Sequence, residues 1–256
     1  MLTSIIITLI VIICGLLQAR FILIITTVLP LQIRYSEQSF ATLLHYFFRM
    51  PILQWREPFH FDFYNELEMN ISHQRQRCLP RWWVIYSVSL FLQLLGLHYY
   101  GFSFEWGVWI SISSLLVMLM IIDWNYLLLP DCLTFTLLWL GLLFPLSHRD
   151  ISVESQVWGA VVGYLSLRGL NMLYHFFYQR EGLGLGDCKL LAALGVLLGL
   201  AALPYLLIVA CVLGGGIIFG RYLKADQTLM APIPFGSCLS LAAMGLCSPF
   251  SPYQLA

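Results

Sequence analysis

Charge is what this chain has least of: 26 of its 256 residues are Lys, Arg, Asp or Glu, thirteen of each sign. A folded chain of this size with so few charges would expose large apolar patches to water, which excludes an ordinary water-soluble fold. An excess of either sign is also missing. With a net charge of +0 there is no basic field to grip a phosphate backbone, so nucleic acid is excluded as the expected partner. Among the seven cysteines (14, 78, 132, 188, 211, 238 and 247) no Cys-x-x-Cys pair occurs, and the total is odd. Neither a zinc ribbon nor a disulfide framework fits that pattern, so no metal is expected and the cysteines read as small packing residues.

What is abundant is hydrocarbon, with 60% of the residues hydrophobic. Eight segments approach the length and apolarity of a spanning helix, at about 3–29, 82–99, 106–122, 132–147, 156–177, 188–203, 205–220 and 233–250, the sixth and seventh being joined by a tight turn at Pro204. The first lacks a charged n-region and is too long for a signal peptide, so it is read as a span. The expected fold is all-α, a polytopic integral membrane protein of about eight transmembrane helices. Its expected parts are a first span (1–30), a loop or cap (31–81) and a seven-helix core (82–256). Small-residue pairs such as Gly159/Gly163 and Gly195/Gly199, and the Gly214-Gly215-Gly216 run, are expected to let helix backbones approach closely in lipid.

Basic residues in short loops set the orientation. With both termini outside, the inner loops hold Arg34, Arg49, Arg56, Arg75, Arg77, Arg81, Arg180, Lys189, Arg221 and Lys224, against Arg149 alone outside. Arg20 and Arg168 fall inside predicted spans. The 31–81 loop then lies in the cytoplasm, and its many aromatics, among them Trp55, Phe59, Phe61 and Phe63, suit a partly helical cap on the membrane surface better than plain disorder.

In a chain this poor in charge, an acid at a span boundary calls for a reason. Asp123, Asp131 and Asp187 all fall on the predicted cytoplasmic face, although that face was chosen from Lys and Arg alone. Asp131 follows Pro130 and is suited to cap the fourth span. Asp187 can cap the sixth, but capping does not call for Gly182, Gly184 and Gly186 ahead of it; such glycines permit positive φ and close approach of another chain. Asp123 ends the third span, where a carboxylate meets the negative end of the helix dipole, so structure alone would not choose it. Two such acids side by side share one proton, one acting as base toward water and the other as acid toward a carbonyl, which is aspartic protease chemistry. Acids strung along a polar channel would instead serve a proton- or ion-coupled transporter, and spacing does not separate the two.

At these residues the sequence resembles the type IV prepilin leader peptidase family, bacterial membrane aspartic proteases. Asp123 through Leu129-Pro130-Asp131-Cys132-Leu133-Thr134 is similar to the family's Asp…Leu-Pro-Asp-x-Leu-Thr motif, and Gly159-Ala160-Val161-Val162-Gly163-Tyr164 to its Gly-Ala-x-x-Gly-Tyr. Glu181-Gly182-Leu183-Gly184-Leu185-Gly186-Asp187-Cys188-Lys189 is similar to its Glu-Gly-Met-Gly-x-Gly-Asp-x-Lys, and Pro232-Ile233-Pro234-Phe235-Gly236 to its late Ile-Pro-Phe-Gly. Four motifs occur in order over 122–236.

The resemblance implies an endopeptidase whose catalytic residues are Asp123 and Asp187, with Gly184, Gly186, Lys189 and Asp131 in support. It implies a prepilin substrate cut on the cytoplasmic side of a bacterial inner membrane, just before an apolar helix that stays in lipid. Proteolysis would need no cofactor, and many members then methylate the new N-terminus with S-adenosylmethionine. The N-terminal third departs from the pattern: 19–30 lacks the family's Gly, Ser, Asn and Arg, and the loop retains Cys78 in place of the family's cysteine pairs. A non-catalytic assembly factor that kept the fold is a third reading.

Overall fold

In a computed structural model of the chain, the described residues are 11, 13–23, 25–26, 82–143, 152–179, 184–223 and 232–247, and every regular element among them but one short 3-10 turn is an α-helix. We number them α1 (Ile13–Leu23), α2 (Trp82–Tyr100), α3 (Phe104–Tyr126), α4 (Asp131–Leu143), α5 (Val153–Tyr178), α6 (Leu185–Leu198), α7 (Leu203–Leu223) and α8 (Phe235–Cys247). Each falls within one of the eight apolar segments or overruns it by a few residues. Among the described residues two stretches, Phe104–Tyr126 and Leu200–Leu223, are long and apolar enough to cross a membrane. The predicted cap at 31–81 lies outside the described residues, as do most of the basic residues used to orient the chain.

Local chemistry sets the helix ends. The Ser103 hydroxyl accepts from the Trp106 N–H at 3.4 Å at the start of α3, and Ser152 accepts from the Ser155 N–H at 3.2 Å at the start of α5. The end of α3 is sharper: Leu127 adopts the left-handed conformation (φ 54°) while its N–H bonds the Asp123 carbonyl at 2.9 Å. Leu128, Leu129 and Pro130 then lead straight into α4. The turn between the sixth and seventh segments is at Gly199 (φ 79°), followed by a 3-10 turn at Leu200–Ala202, and not at Pro204. Pro204 sits in the first turn of α7, where the N–H it lacks would have had no helical partner.

Helix α3 is the central element. Ile112, Leu116, Met118, Leu119 and Ile122 are fully buried, and α2, α4 and α8 pack around it. By contrast α7 presents Ile208, Val212 and Phe219 outward, the apolar exterior that lipid requires. The broadest packing is between α5 and α6. There Gly159 and Gly195 face each other main chain to main chain, and a Cβ on Gly163 would lie 2.9 Å from the Leu191 carbonyl oxygen. Lipid supplies no hydrophobic push between helices, so such close packing is what holds them. The glycines at 214–216 do not work this way: Gly215 and Gly216 have open space where a Cβ would be, and Gly214 meets only the Cys238 sulfur at 4.0 Å.

One polar contact within the bundle had no signal in the sequence pattern. Gln93 of α2 donates its side-chain amide to the Gln18 side chain of α1, and Gln18 donates to the Ile110 carbonyl of α3 at 3.4 Å. Both glutamines are buried, so three helices are tied at one point. Arg20, next to Ala19 on α1, is half-buried.

Candidate active site

Three helix ends meet at one place: the last turn of α3, the first turn of α6 and the first turn of α8. The predicted apolar stretch 106–122 stops one residue before Asp123, and 188–203 begins one residue after Asp187, so both acids stand at the edge of their spans. Both are buried, with 4% and 9% of their surface exposed. Between them lies the start of α8. A Cβ built on Gly236 would stand 3.1 Å from the Asp123 carboxyl carbon and 3.1 Å from Asp187 Oδ1, so these atoms are no more than twice that distance apart. The same Cβ would meet Leu129 Cδ1 at 2.8 Å. Glycine at 236 therefore leaves room for the two carboxyls to share a space that any side chain would fill.

Each acid is held differently. Asp123 Oδ2 accepts two hydrogen bonds from the next residue of α8, the Ser237 N–H at 2.6 Å and the Ser237 hydroxyl at 2.9 Å. Asp187 is the third residue of α6, and its carboxyl lies beside Gly184, the residue that precedes that helix. Burial, together with the neighbouring charge of Asp123, raises the Asp187 carboxyl to about 7, with the Gly184 N–H opposing the rise. Below about pH 7 Asp187 therefore keeps its proton beside Asp123.

The glycines ahead of Asp187 differ from expectation. Gly184 has φ −68° and ψ 145°, extended backbone open to any residue, so it does not supply positive φ. Gly186 answers a packing demand instead, since its Cβ would lie 2.8 Å from Leu129 Cβ. Leu129 thus rests against Gly186 on one side and Gly236 on the other. Gly182 lies outside the described residues.

Asp131 is not brought into the pair. It lies inside the first turn of α4 and does not precede the helix, and its carboxylate turns to Lys189, whose Nζ lies 2.7 Å from both oxygens. Lys189 is thereby engaged by Asp131, and it also lies 5.9 Å from the Phe135 ring centre. This ion pair is exposed (32% and 56%) and joins α4 to α6 across 58 residues of sequence. Among the described residues, no group of three or more His, Cys, Asp or Glu side chains could hold a metal ion. Ser237 is the site residue that sequence reading passed over. Its signal was a hydroxyl directly after Pro234-Phe235-Gly236, where a helix start leaves N–H groups without partners.

Residues 110–219 match the Type IV leader peptidase family. That span contains Asp123, Leu129, Asp131, Asp187 and Lys189, and the leader peptidase resemblance read in the sequence holds over it. The chain is 46% identical over 140 residues to a prepilin leader peptidase/N-methyltransferase of Pectobacterium carotovorum subsp. carotovorum, covering 54% of this chain and 50% of that protein. Proteins of the same name from Stutzerimonas stutzeri and Pseudomonas aeruginosa are 39% and 36% identical over 146 residues, each covering 56% of this chain and 50% of the relative. The chain spans about half the length of the curated relatives it matches. No solved structure matches.

Proposed function

We propose that the chain is a membrane aspartic endopeptidase that cleaves the leader from a type IV prepilin, with Asp123 and Asp187 as its catalytic pair. The observation that carries the reading is the placement of two buried carboxyls on either side of Gly236, inside a segment that matches leader peptidases. With one proton between them, the ionised acid takes a proton from water while the protonated acid hydrogen-bonds the scissile carbonyl. A tetrahedral diol forms and collapses as the peptide C–N bond breaks. No bound cofactor takes part in this step.

A membrane-edge site matches the chemistry of the substrate, whose apolar helix stays in lipid while its basic leader remains in water. The eight-span topology, the 31–81 cytoplasmic cap, the bacterial inner membrane and the peptidase core at 82–256 belong to this proposal. In it, the Lys189–Asp131 pair, with Gly184 and Gly186, supports the acids by fixing the Leu127–Pro130 connection and its Leu129 against them. The acids sit together at helix ends and do not run in file through the bilayer, which favours a peptidase over a proton-coupled transporter. The N-terminal third departs from the family pattern, so transfer of a methyl group from S-adenosylmethionine is a separate question for experiment.

The deciding experiment is reconstitution of the purified chain in liposomes with a prepilin, followed by mass spectrometry of the new N-terminus. A cut just ahead of the apolar helix is the expected result, and the same spectrum reports any added methyl group. An uncut prepilin would leave the assembly-factor reading in its place.

A further inference from the structure

The two acids receive unequal numbers of hydrogen bonds, and that inequality assigns their roles. Ser237 is the third residue of α8, and its N–H is one of the donors that a helix start leaves without an internal partner. It is spent on Asp123 Oδ2 at 2.6 Å, and the Ser237 hydroxyl adds a second donor to the same oxygen at 2.9 Å. The positive end of the α8 dipole therefore offsets the negative end of α3, on which Asp123 stands. Asp187 has no comparable pair of donors among the described residues, only Gly184 beside it.

The hydroxyl has a second acceptor. Ser237 Oγ lies 2.9 Å from the Met120 carbonyl oxygen, one turn back along α3, and 2.9 Å from Asp123 Oδ2, yet it carries one hydrogen. It can point at Asp123 while that carboxyl is charged and swing to Met120 once the carboxyl has taken a proton. Among the described residues, the other titratable groups facing the pair are Cys238 on α8 and Cys188 on α6, with Arg168 of α5 beyond Cys188. Lys189 is engaged by Asp131. None of these places a cation directly on Asp187 to compete with the donors on Asp123.

We infer that Ser237 is a positioning residue that holds Asp123 as the base of the pair and leaves the shared proton on Asp187. This rests on the peptidase reading above and deepens it. Asp123 removes a proton from water as the water oxygen bonds to the carbonyl carbon, and Asp187 gives its proton to the carbonyl oxygen. The C–N bond then breaks as Asp123 passes its proton to the departing nitrogen, and Asp187 recovers a proton from a diol hydroxyl. Both acids end as they began.

The test uses the full chain in detergent and a neutral carbodiimide, which modifies protonated carboxyls, with the labelled peptides read by mass spectrometry at pH 6. Asp187 should take the label and Asp123 should not. Ser237→Ala should bring label onto Asp123 while Asp187 stays labelled. On a prepilin, the same variant should move the acid limb of the kcat profile up by about one pH unit, the size expected for one lost bond to a charged group. KM should be unchanged, and Ser237→Thr, which keeps the hydroxyl, should return the limb toward its original place. Labelling of Asp123 ahead of Asp187 in the unaltered chain would overturn the inference, as would an acid limb that does not move in Ser237→Ala. If the label behaves as expected and no prepilin is cut, the role assignment stands and the peptidase reading fails.

Discussion

Asp187 and Lys189 are two residues apart on one helix and have opposite electrostatic surroundings. Lys189 meets Asp131 at 2.7 Å in an exposed pair whose charges cancel. Asp187 is buried against a second acid, its carboxyl raised to about 7, and no cation among the described residues settles it. The first arrangement satisfies itself and holds two helices; the second keeps like charges together behind Leu129, a cost that stability alone does not explain. The comparison teaches where this chain lets charge settle into assembly and where, under the proposed function, it keeps charge ready for chemistry.

The sharpest way to break that contrast is to remove a proton-carrying group from the buried pair. Asp123→Asn or Asp187→Asn should lower cleavage of a co-expressed prepilin by at least about 10³-fold, as expected when one of two cooperating acid–base groups is lost. Membrane levels of the chain, read by immunoblot, should not change; full cleavage by either variant would end the assignment. Filling the space between the acids comes next. Gly236→Ala would place a methyl group 3.1 Å from atoms of both carboxyls and should cost about 10²-fold in cleavage, the scale on which displaced catalytic groups fail.

Proton occupancy gives a third and graded effect. An acid raised to about 7 keeps its proton below that pH and loses it above, so cleavage should decline as pH climbs through about 7, by roughly tenfold per unit beyond it. The measurement is the rate in liposomes between pH 5.5 and 9, and a rate still rising above pH 8 would contradict it. The exposed pair should matter least. Lys189→Met or Asp131→Asn should change cleavage by less than about threefold, since surface ion pairs contribute about 0–1 kcal/mol. A loss from Asp131→Asn as large as that from Asp123→Asn would erase the distinction between the two regions.

Much of this was legible because a membrane chain punishes stray charge. Hydropathy alone located the described helices to within a few residues at most ends, and the scarcity of acids singled out Asp123 and Asp187. What stayed hidden depends on which helices touch. Nothing local tells Asp131 that Lys189, 58 residues on, will be its partner, so helix capping was the nearest available explanation. Gln18 and Gln93 take their meaning from the three helices that close around them. Ser237 was ordinary by type, and its meaning came from the carboxylate 114 residues earlier in the chain. The run at Gly214 showed the reverse error, in which a pattern that often marks close packing met open space.

The contact of Gly159 with Gly195 has a reach beyond its own two residues. Helix α6 carries Asp187 in its first turn, and its grip on α5 is main chain against main chain, where no rotamer can give and no side chain can be trimmed to adjust the fit. A piston movement of α6 along α5 would have to lift whole backbones past each other. The depth of Asp187 along the bundle is thereby fixed like a stop on a gauge, and in the proposed peptidase the point of cutting would be measured from that stop.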